Sequence, residues 1–289
     1  MEAAGKRYIL HGSRSDIFRL WNLADIHWLN KGCAVNDVKR DLKIIANDPF
    51  SFAIGGGDFC DFIGYRDKRF DPDAVPEWVP VKALGDLGRY GMTQIRDLFL
   101  PIKHKLMGLV IGNHELKYEL HTEQESLHHW LCEELGVPSL EYSALFDVVF
   151  VRQGGVKVPR LFFDRPNHPG KGGDCETFRI FIHHGAGYAQ TPGGKLNRLV
   201  QFMQSFDADI YMTAHVHDHV ARKEPAIGAD KDCTRLVQRN RLGVVAGSYL
   251  KTYNQGSISY GEQRGFRPTS LGAAVVRIKP ETRELEAVV

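Results

Sequence analysis

Five short polar clusters, each directly after an apolar run, are the feature of this sequence that most restricts its fold. The apolar runs at 18–24, 52–54, 106–111, 178–182 and 210–214 are typical of buried β-strands. The clusters that follow them are, in chain order, Asp25-Ile26-His27, Gly57-Asp58, Gly112-Asn113-His114-Glu115, His183-His184 and His215-Val216-His217. Residues that follow the ends of neighbouring strands meet at one edge of a sheet. The sequence therefore predicts that the five clusters converge at such an edge.

The clusters together offer carboxylate, imidazole and amide-oxygen ligands, which are enough for two adjacent divalent ions. A single cluster has little specificity: with 13 histidines in 289 residues, random placement alone gives about 0.6 His-x-His pairs per chain. The specificity comes from the order of all five clusters along the chain. We therefore interpret them as the ligands of a catalytic metal centre.

The order D-x-H, G-D, G-N-H-E, H and x-H-x-H resembles the motif pattern of the calcineurin-like metallophosphoesterase superfamily. The resemblance extends over residues 18–220. Ala214 stands where the family usually has the glycine of its last motif, a change that leaves both imidazoles in place. The C-terminal segment 247–253 and the aromatic and basic residues after it are also similar to segments of phosphoesterases of phage type.

The resemblance implies an α/β fold: a four-layer α-β-β-α sandwich of two mixed β-sheets flanked by helices, with a dimetal site at one end of the sheets. Apolar periodicity predicts helices at 37–47, 81–98, 118–135 and 195–206, and further strands at 148–152, 160–163, 242–246 and 273–278. The chain, 1–289, is predicted to form a single domain. Within it, we expect an N-terminal extension at 1–16, a substrate-facing lid or solvated loop at 61–80, and C-terminal strands at 242–289.

The resemblance also implies which residues bind metal. It gives one shared bridging ligand and three further ligands for each ion: Asp58 as the bridge, Asp25, His27 and His217 on the first ion, and Asn113, His183 and His215 on the second. His183 is preferred over His184 because it continues the preceding strand. His184 is then left to contact substrate or line the pocket, and Asn113 is a further candidate substrate contact.

His114 and Asp58 are the residues to which the resemblance assigns catalysis. At the position of His114 the family has a general acid or transition-state stabiliser, which need not bind metal. Glu115 or another nearby carboxylate could orient the His114 ring, but Glu115 could equally bond backbone. The nucleophile implied is a hydroxide-like water that bridges both ions beside Asp58. Manganese is the expected metal, with iron, zinc, cobalt or nickel as alternatives.

The substrate is expected to be a phosphate ester. In the phosphoprotein phosphatases of this superfamily, one arginine follows the second motif and another precedes G-N-H-E, but here Phe62 follows Asp61 and Ile111 precedes Gly112. Phosphodiester cleavage, in nucleotides or nucleic acid, is therefore favoured. Interleaved aromatic and basic residues near the C-terminus are candidate nucleic-acid contacts, or else form a hairpin packed beside the site: Tyr249, Lys251, Tyr253, Tyr260, Arg264, Phe266 and Arg267. The alternatives are a phosphomonoesterase and a non-catalytic phosphoesterase fold that serves as an interaction scaffold.

Composition narrows the cellular setting. The formal net charge of +2 comes from 37 basic and 35 acidic residues, so any basic binding face must be local. No apolar stretch approaches the roughly 18 residues of a membrane helix, and residues 1–15 lack the apolar core of a secretory signal. Five cysteines without C-x-x-C spacing make a disulfide framework or thiolate zinc site improbable. We expect a cytoplasmic protein without membrane or obligate protein partners.

Overall fold

Two mixed β-sheets form the centre of the molecule in a computed structural model that describes residues 1–62, 74–122, 126–166, 175–187, 189, 191–230, 232–256 and 258–288. The described strands are β1 (Glu2–His11), β2 (Phe18–Leu23), β3 (Ser51–Gly55), β4 (Leu106–Leu109), β5 (Ser143–Arg152), β6 (Arg160–Phe162), β7 (Cys175–His183), β8 (Ile210–Thr213), β9 (Val220–Ala229), β10 (Leu236–Val245), β11 (Ala274–Lys279) and β12 (Glu284–Val288). One sheet has seven strands in the order β6-β1-β5-β7-β8-β10-β9, and the other has five in the order β12-β11-β2-β3-β4.

Helices cover the outer faces of both sheets. The described α-helices are α1 (Val35–Asn47), α2 (Leu87–Phe99), α3 (Asn113–Thr122), α4 (Leu127–Leu135), α5 (Pro192–Ser205) and α6 (Tyr260–Gln263), and 3-10 helices lie at Val81–Asp86, Leu100–Lys105 and Pro280–Thr282. No helix of the described chain combines the length and apolar character needed to cross a membrane.

Three apolar cores join these elements into four layers. Between the sheets, Leu20 and Phe52 of the five-stranded sheet pack in one core with Ile180 and Met212 of the seven-stranded sheet. A second core joins the outer face of the five-stranded sheet to side chains of α1, α2 and α4. In the third core, α5 packs with Leu199 and Met203 on the outer face of the seven-stranded sheet. The predicted α-β-β-α sandwich with two mixed sheets is confirmed.

Most predicted elements are found within a few residues of their expected bounds, and the differences have local causes. The predicted helix at 118–135 is two helices: α3 begins at Asn113, and α4 begins after Ser126, whose hydroxyl accepts from the His129 N–H. Gly136, with a φ of +67°, ends α4 as expected. The strand candidate at 148–152 extends back to Ser143 in β5.

The N-terminal segment differs from its prediction as an extension. Glu2–His11 forms β1, which pairs parallel with β5 and antiparallel with β6. The segment is polar because only alternate positions near its end, such as Arg7, Ile9 and His11, are buried. Of the expected lid at 61–80, residues 63–73 lie outside the described part of the chain.

Candidate metal centre

The predicted site residues follow strands that run parallel to one another in the two sheets. In the five-stranded sheet, β2, β3 and β4 are parallel, and Asp25, Asp58 and Asn113 come directly after them. In the seven-stranded sheet, β7 and β8 are parallel, and His184 and His215 follow them. The structure therefore brings all five clusters to one end of the sandwich, with each sheet supplying part of the site.

One group of metal-ligand type consists of Asp25, His27 and His217, whose donor atoms lie within 4.8 Å of one another. The Nε2 atoms of the two rings are 3.2 Å apart, and Asp25 Oδ1 is 3.2 Å from His217 Nε2. Asp25 is fully buried, and its Oδ1 accepts no hydrogen bond from the described residues. Three lone-pair atoms that converge without enough donors suit a cation. The residues present therefore fit a divalent metal ion.

A second group consists of Asp58, His184 and His215, again with donor atoms within 4.8 Å. His184 Nε2 lies 3.3 Å from Asp58 Oδ2 and 3.2 Å from the amide oxygen of Asn113. Burial lowers the pKa of His184, but the charges of Asp58 and Asp25 outweigh it and raise that pKa to about 10. The site thus attracts positive charge strongly, and the carboxylate, imidazole and amide donors match borderline divalent ions.

The structure places His184, rather than the expected His183, beside Asp58 and His215. Strand β7 alternates, with Phe178, Ile180 and Ile182 in the core between the sheets. His184 continues on that side, fully buried, and its Nδ1 lies 2.8 Å from the carbonyl oxygen of Gly56. A histidine one position earlier points to the opposite face. The expectation that His183 belongs to the second group is corrected in favour of His184.

His183 instead packs away from the centre. Its ring lies 4.8 Å from that of Phe202 on α5, and its Nδ1 accepts a hydrogen bond of 2.8 Å from the Gly185 N–H. Burial and the neighbouring charge of His184 lower the pKa of His183 to about 4. Continuing a strand was therefore the wrong criterion, because it does not decide which face a residue occupies.

Asp58 lies at the N-terminal end of α3, where several donors face it. Its Oδ1 accepts from the His114 N–H at 2.8 Å. Burial raises the pKa of Asp58, but the positive charges of His184 and His114 outweigh this effect and hold it well below its ordinary value. The helix N-terminus also favours negative charge. Asp58 is thereby kept ionised in a buried position.

Glu115 bonds backbone, the second of its two expected roles. Its carboxylate accepts N–H bonds from Asp58, Phe59 and Cys60 at 3.0, 2.6 and 3.2 Å, and from Gly112 at 3.1 Å. These contacts fasten the loop after β3 to the first turn of α3. Glu115 therefore positions the two loops that carry Asp58 and His114 rather than the imidazole itself.

Asp61 contacts the His114 ring and is the other nearby carboxylate that was expected, as the alternative to Glu115, to orient it. The Nδ1 of His114 lies 2.6 Å from the Asp61 carbonyl oxygen and 3.4 Å from Asp61 Oδ1. The same carboxylate is 3.1 Å from His27 Nδ1 and accepts from Asn30 Nδ2 at 2.7 Å. The only sequence signal was a second carboxylate three residues after Asp58. Asp61 thus connects a candidate metal ligand with the candidate acid.

A large cleft opens at the metal centre. Its volume is about 1320 Å³, and Asp58, Asn113 and His114 are among its lining residues. Four C-terminal candidates, Lys251, Arg264, Phe266 and Arg267, also line the cleft. Of the other candidates, Tyr249 is fully buried with its hydroxyl 2.8 Å from Asp41 Oδ2, and Tyr253 donates to the Phe266 carbonyl at 2.8 Å. The side chain of Tyr260 lies outside the described part.

No protein-family model matches the chain, and no curated protein matches it. Among solved structures, a Vps29 double mutant from Entamoeba histolytica is 11% identical with a TM-score of 0.39, over 94% of this chain and 98% of that one. A predicted phosphoesterase from Streptococcus pneumoniae is 12% identical with a TM-score of 0.32, over 94% and 98%. GAP50, the anchor in the inner membrane complex of Plasmodium, is 11% identical with a TM-score of 0.42, over 91% and 81%. At these identities and TM-scores, none of the three similarities assigns a function to the chain.

Proposed function

We propose that this protein is a phosphodiesterase that depends on two divalent metal ions. The observation that carries the proposal is the pair of adjacent carboxylate–imidazole groups at the floor of one cleft, with His114 beside them. Asp25, His27 and His217 would hold one ion. Asp58, His184, His215 and the amide oxygen of Asn113 would hold the other. Two bound cations, with manganese expected first, supply Lewis-acid chemistry and lower the pKa of water at the site.

The residues of the chain prepare the site for that chemistry. Asp58 lies within electrostatic reach of both His184 and His27, so its carboxylate is placed to be shared between the ions. The Asp25 carboxylate accepts from the His215 N–H at 2.8 Å, which joins the loops of the two groups. These contacts hold the candidate ligand side chains in position without a bound metal ion. The cluster is thus preorganised rather than assembled by substrate.

His114 is placed to protonate the departing oxygen. Because a carbonyl oxygen can only accept, the contact of its Nδ1 with the Asp61 carbonyl requires a proton on Nδ1. The other ring nitrogen, Nε2, is then left for the cleft. Burial lowers the pKa of His114, but the charges of Asp58 and Asp61 outweigh it and raise that pKa, which favours a second proton on Nε2. A protonated imidazole of this kind is a suitable general acid.

The surroundings favour diesters over phosphoprotein monoesters. Phe62 is buried and stacks on Tyr118 with ring centroids 5.0 Å apart. Ile111 is also buried. Phosphoprotein phosphatases of the family that the sequence resembles have arginines at these two places. The guanidinium groups that would hold a dianionic monoester beside the ions are therefore replaced by apolar packing.

The proposal is tested with purified protein loaded with manganese. We expect hydrolysis of bis-p-nitrophenyl phosphate to exceed that of p-nitrophenyl phosphate, and EDTA to abolish both, with cyclic AMP as a third substrate. A protein that binds two ions but hydrolyses none of these esters would have the alternative role of a scaffold. A reversed preference, for the monoester, would overturn the phosphodiesterase assignment.

A variant at His114 separates catalysis from metal binding. His114→Ala should lower turnover of bis-p-nitrophenyl phosphate by about a hundredfold to ten-thousandfold, the range of a general acid, while the bound metal stays unchanged. Asp58→Ala should lose both turnover and metal. His129→Ala is the matched control, because His129 is largely exposed and contacts Glu141 at 2.9 Å. Metal loss in His114→Ala equal to that in Asp58→Ala would contradict the assignment.

A further inference from the structure

The lining of the cleft outside the metal centre is strongly basic. The described lining residues include six lysines and arginines from four segments: Lys31, Lys117, Lys195, Lys251, Arg264 and Arg267. Apart from Asp58 and Asp61 at the centre, the described acidic lining residue is Asp218, and Lys195 Nζ lies 3.1 Å from its carboxylate. The net charge of +2 on the whole chain hides this asymmetry. The cleft is therefore a local anion-binding surface.

Three of these side chains are free to meet a ligand. Lys117, Lys251 and Arg267 are exposed, and no carboxylate among the described residues lies within ion-pair distance of them. Lys117 belongs to α3, whereas Lys251 and Arg267 belong to the C-terminal segment. Cationic groups from separate segments around one centre suit a ligand with several phosphates better than a single phosphate ester.

The cleft is also too large for a small ester. At about 1320 Å³ it exceeds the roughly 300–1000 Å³ that enclose a drug-sized ligand. Its lining includes the aromatic residues Tyr142 and Phe266, which are only partly buried. Ile258, which also lines it, is 66% exposed. Flat and apolar surfaces between cations are the pattern that binds unpaired bases, each of which has a stacking face.

We infer that the substrate of this site is a single-stranded oligonucleotide, which occupies the cleft with one phosphodiester at the metal centre and its neighbouring phosphates on Lys117, Lys251 and Arg267. The inference rests on the proposed function, which supplies cleavage of the diester. The basic lining supplies contacts with neighbouring phosphates, which a small diester with one phosphate does not have. The two parts can therefore be measured separately.

The experiment compares two substrates in the manganese-loaded full chain. Turnover of bis-p-nitrophenyl phosphate depends on the metal centre alone. Turnover of a single-stranded oligonucleotide of eight nucleotides depends on the metal centre and on binding in the cleft. We expect Lys251→Ala/Arg267→Ala to lower kcat/KM for the oligonucleotide at least about tenfold and to leave kcat/KM for the small diester unchanged. The slope of log kcat/KM against log salt should become shallower by about 0.7 for each lost phosphate contact.

Lys39→Ala/Lys43→Ala is the matched control, because both lysines are exposed on α1 and neither lines the cleft. This control should behave as the wild type on both substrates. Equal losses on both substrates, or no loss on either, would overturn the inference. The inference would also be overturned if the wild type had a kcat/KM for the oligonucleotide no higher than that for the small diester. A kcat/KM for a duplex or a phosphopeptide above that for the oligonucleotide would overturn it as well. Absence of turnover on bis-p-nitrophenyl phosphate itself would instead overturn the proposed function.

Discussion

Five of the site residues have a backbone conformation that side chains normally avoid. The φ angles of Asp25, His27, Asp58, His215 and His217 are +51°, +49°, +52°, +73° and +49°. Each such residue costs on the order of 1 kcal/mol and persists only where its surroundings hold it. Here the carboxylates of Asp25 and Asp58 accept backbone N–H groups of facing loops. The strain concentrates in the residues that the cluster needs, which agrees with a functional rather than a structural role.

Ala214 does not share the left-handed backbone conformation of the site residues beside it. Its backbone is not left-handed, although His215 directly after it is. A side chain is therefore tolerated where the resembling family usually has glycine. Gly185 does not tolerate a side chain: its φ is +125°, and a Cβ there would lie 2.4 Å from the Ala214 carbonyl oxygen.

A pair of variants tests which of two adjacent histidines serves the metal. His184→Ala should lose about one ion per chain, because it removes an imidazole from the second group. His183→Ala should keep both ions and lose only packing against Phe202. Metal analysis after dialysis against a low manganese concentration gives the stoichiometry. The converse result, with metal lost only in His183→Ala, would show that the loop after β7 turns the other way when metal binds.

The residue types at the centre could be predicted from sequence, but their orientation could not be obtained from motifs alone. The alternation of β7 did carry the necessary signal, since polar Thr177 and Arg179 are in phase with His183, while Ile180 and Ile182 are in phase with His184. Asp61 had no comparable signal. Its role depends on contacts between loops that are distant in sequence.

At the scale of elements, strands that are mostly exposed were harder to predict from the sequence than buried strands. The central strands β2, β3, β7 and β8 carry continuous or alternating apolar residues and were predicted. In contrast, β9 and β12 lie at sheet edges and are mostly exposed. These two strands bury few side chains, so their composition resembles that of loops. The edge strand β4, in contrast, is buried along its length, and its apolar run was predicted.

Helix α4 contains a buried histidine that makes the fold sensitive to acid. His128 is fully buried, and its Nε2 is 2.9 Å from Ser139 Oγ. Burial and the charge of His129 lower the pKa of His128 from 6.5 to about 4. In the unfolded chain the imidazole takes up a proton near pH 6.5, whereas in the folded chain it stays neutral until about pH 4. Its contribution to stability is therefore present above pH 6.5 and is lost as the pH falls toward 4.

His128→Gln should remove this loss. Between pH 7 and pH 4.5 the wild type should lose up to about 3 kcal/mol of unfolding free energy that the variant keeps, from about 1.4 kcal/mol for each pKa unit. Urea unfolding with EDTA at both pH values measures the difference. The exposed neighbour provides the control, because His129→Gln should follow the wild type. Identical pH dependence in His128→Gln and wild type would show that burial does not hold this imidazole neutral.

At the scale of the whole molecule, the candidate metal centre lies across the seam between the two sheets. Asp25 and Asp58 follow strands of the five-stranded sheet, and His184 and His215 follow strands of the seven-stranded sheet. Asn22 of β2 also donates across the seam to the Thr213 carbonyl at 3.0 Å. Any opening of the sheets separates the ligands of both groups. Binding of metal at the proposed site would therefore be linked to packing of the sandwich.

Removal of metal should consequently destabilise the entire fold rather than one loop. At a free manganese concentration one hundred times Kd, each site adds about 2.7 kcal/mol to the unfolding free energy, because the unfolded chain lacks the assembled ligands. With an unfolding entropy of about 2.1 cal/mol/K per residue, that corresponds for a chain of this size to a rise in Tm of roughly 4–5 °C per site. Scanning calorimetry with manganese and with EDTA measures it as one cooperative transition. Asp25→Asn/Asp58→Asn should abolish the response, and a Tm that is the same with manganese and EDTA in the wild type would show that no metal binds across the seam.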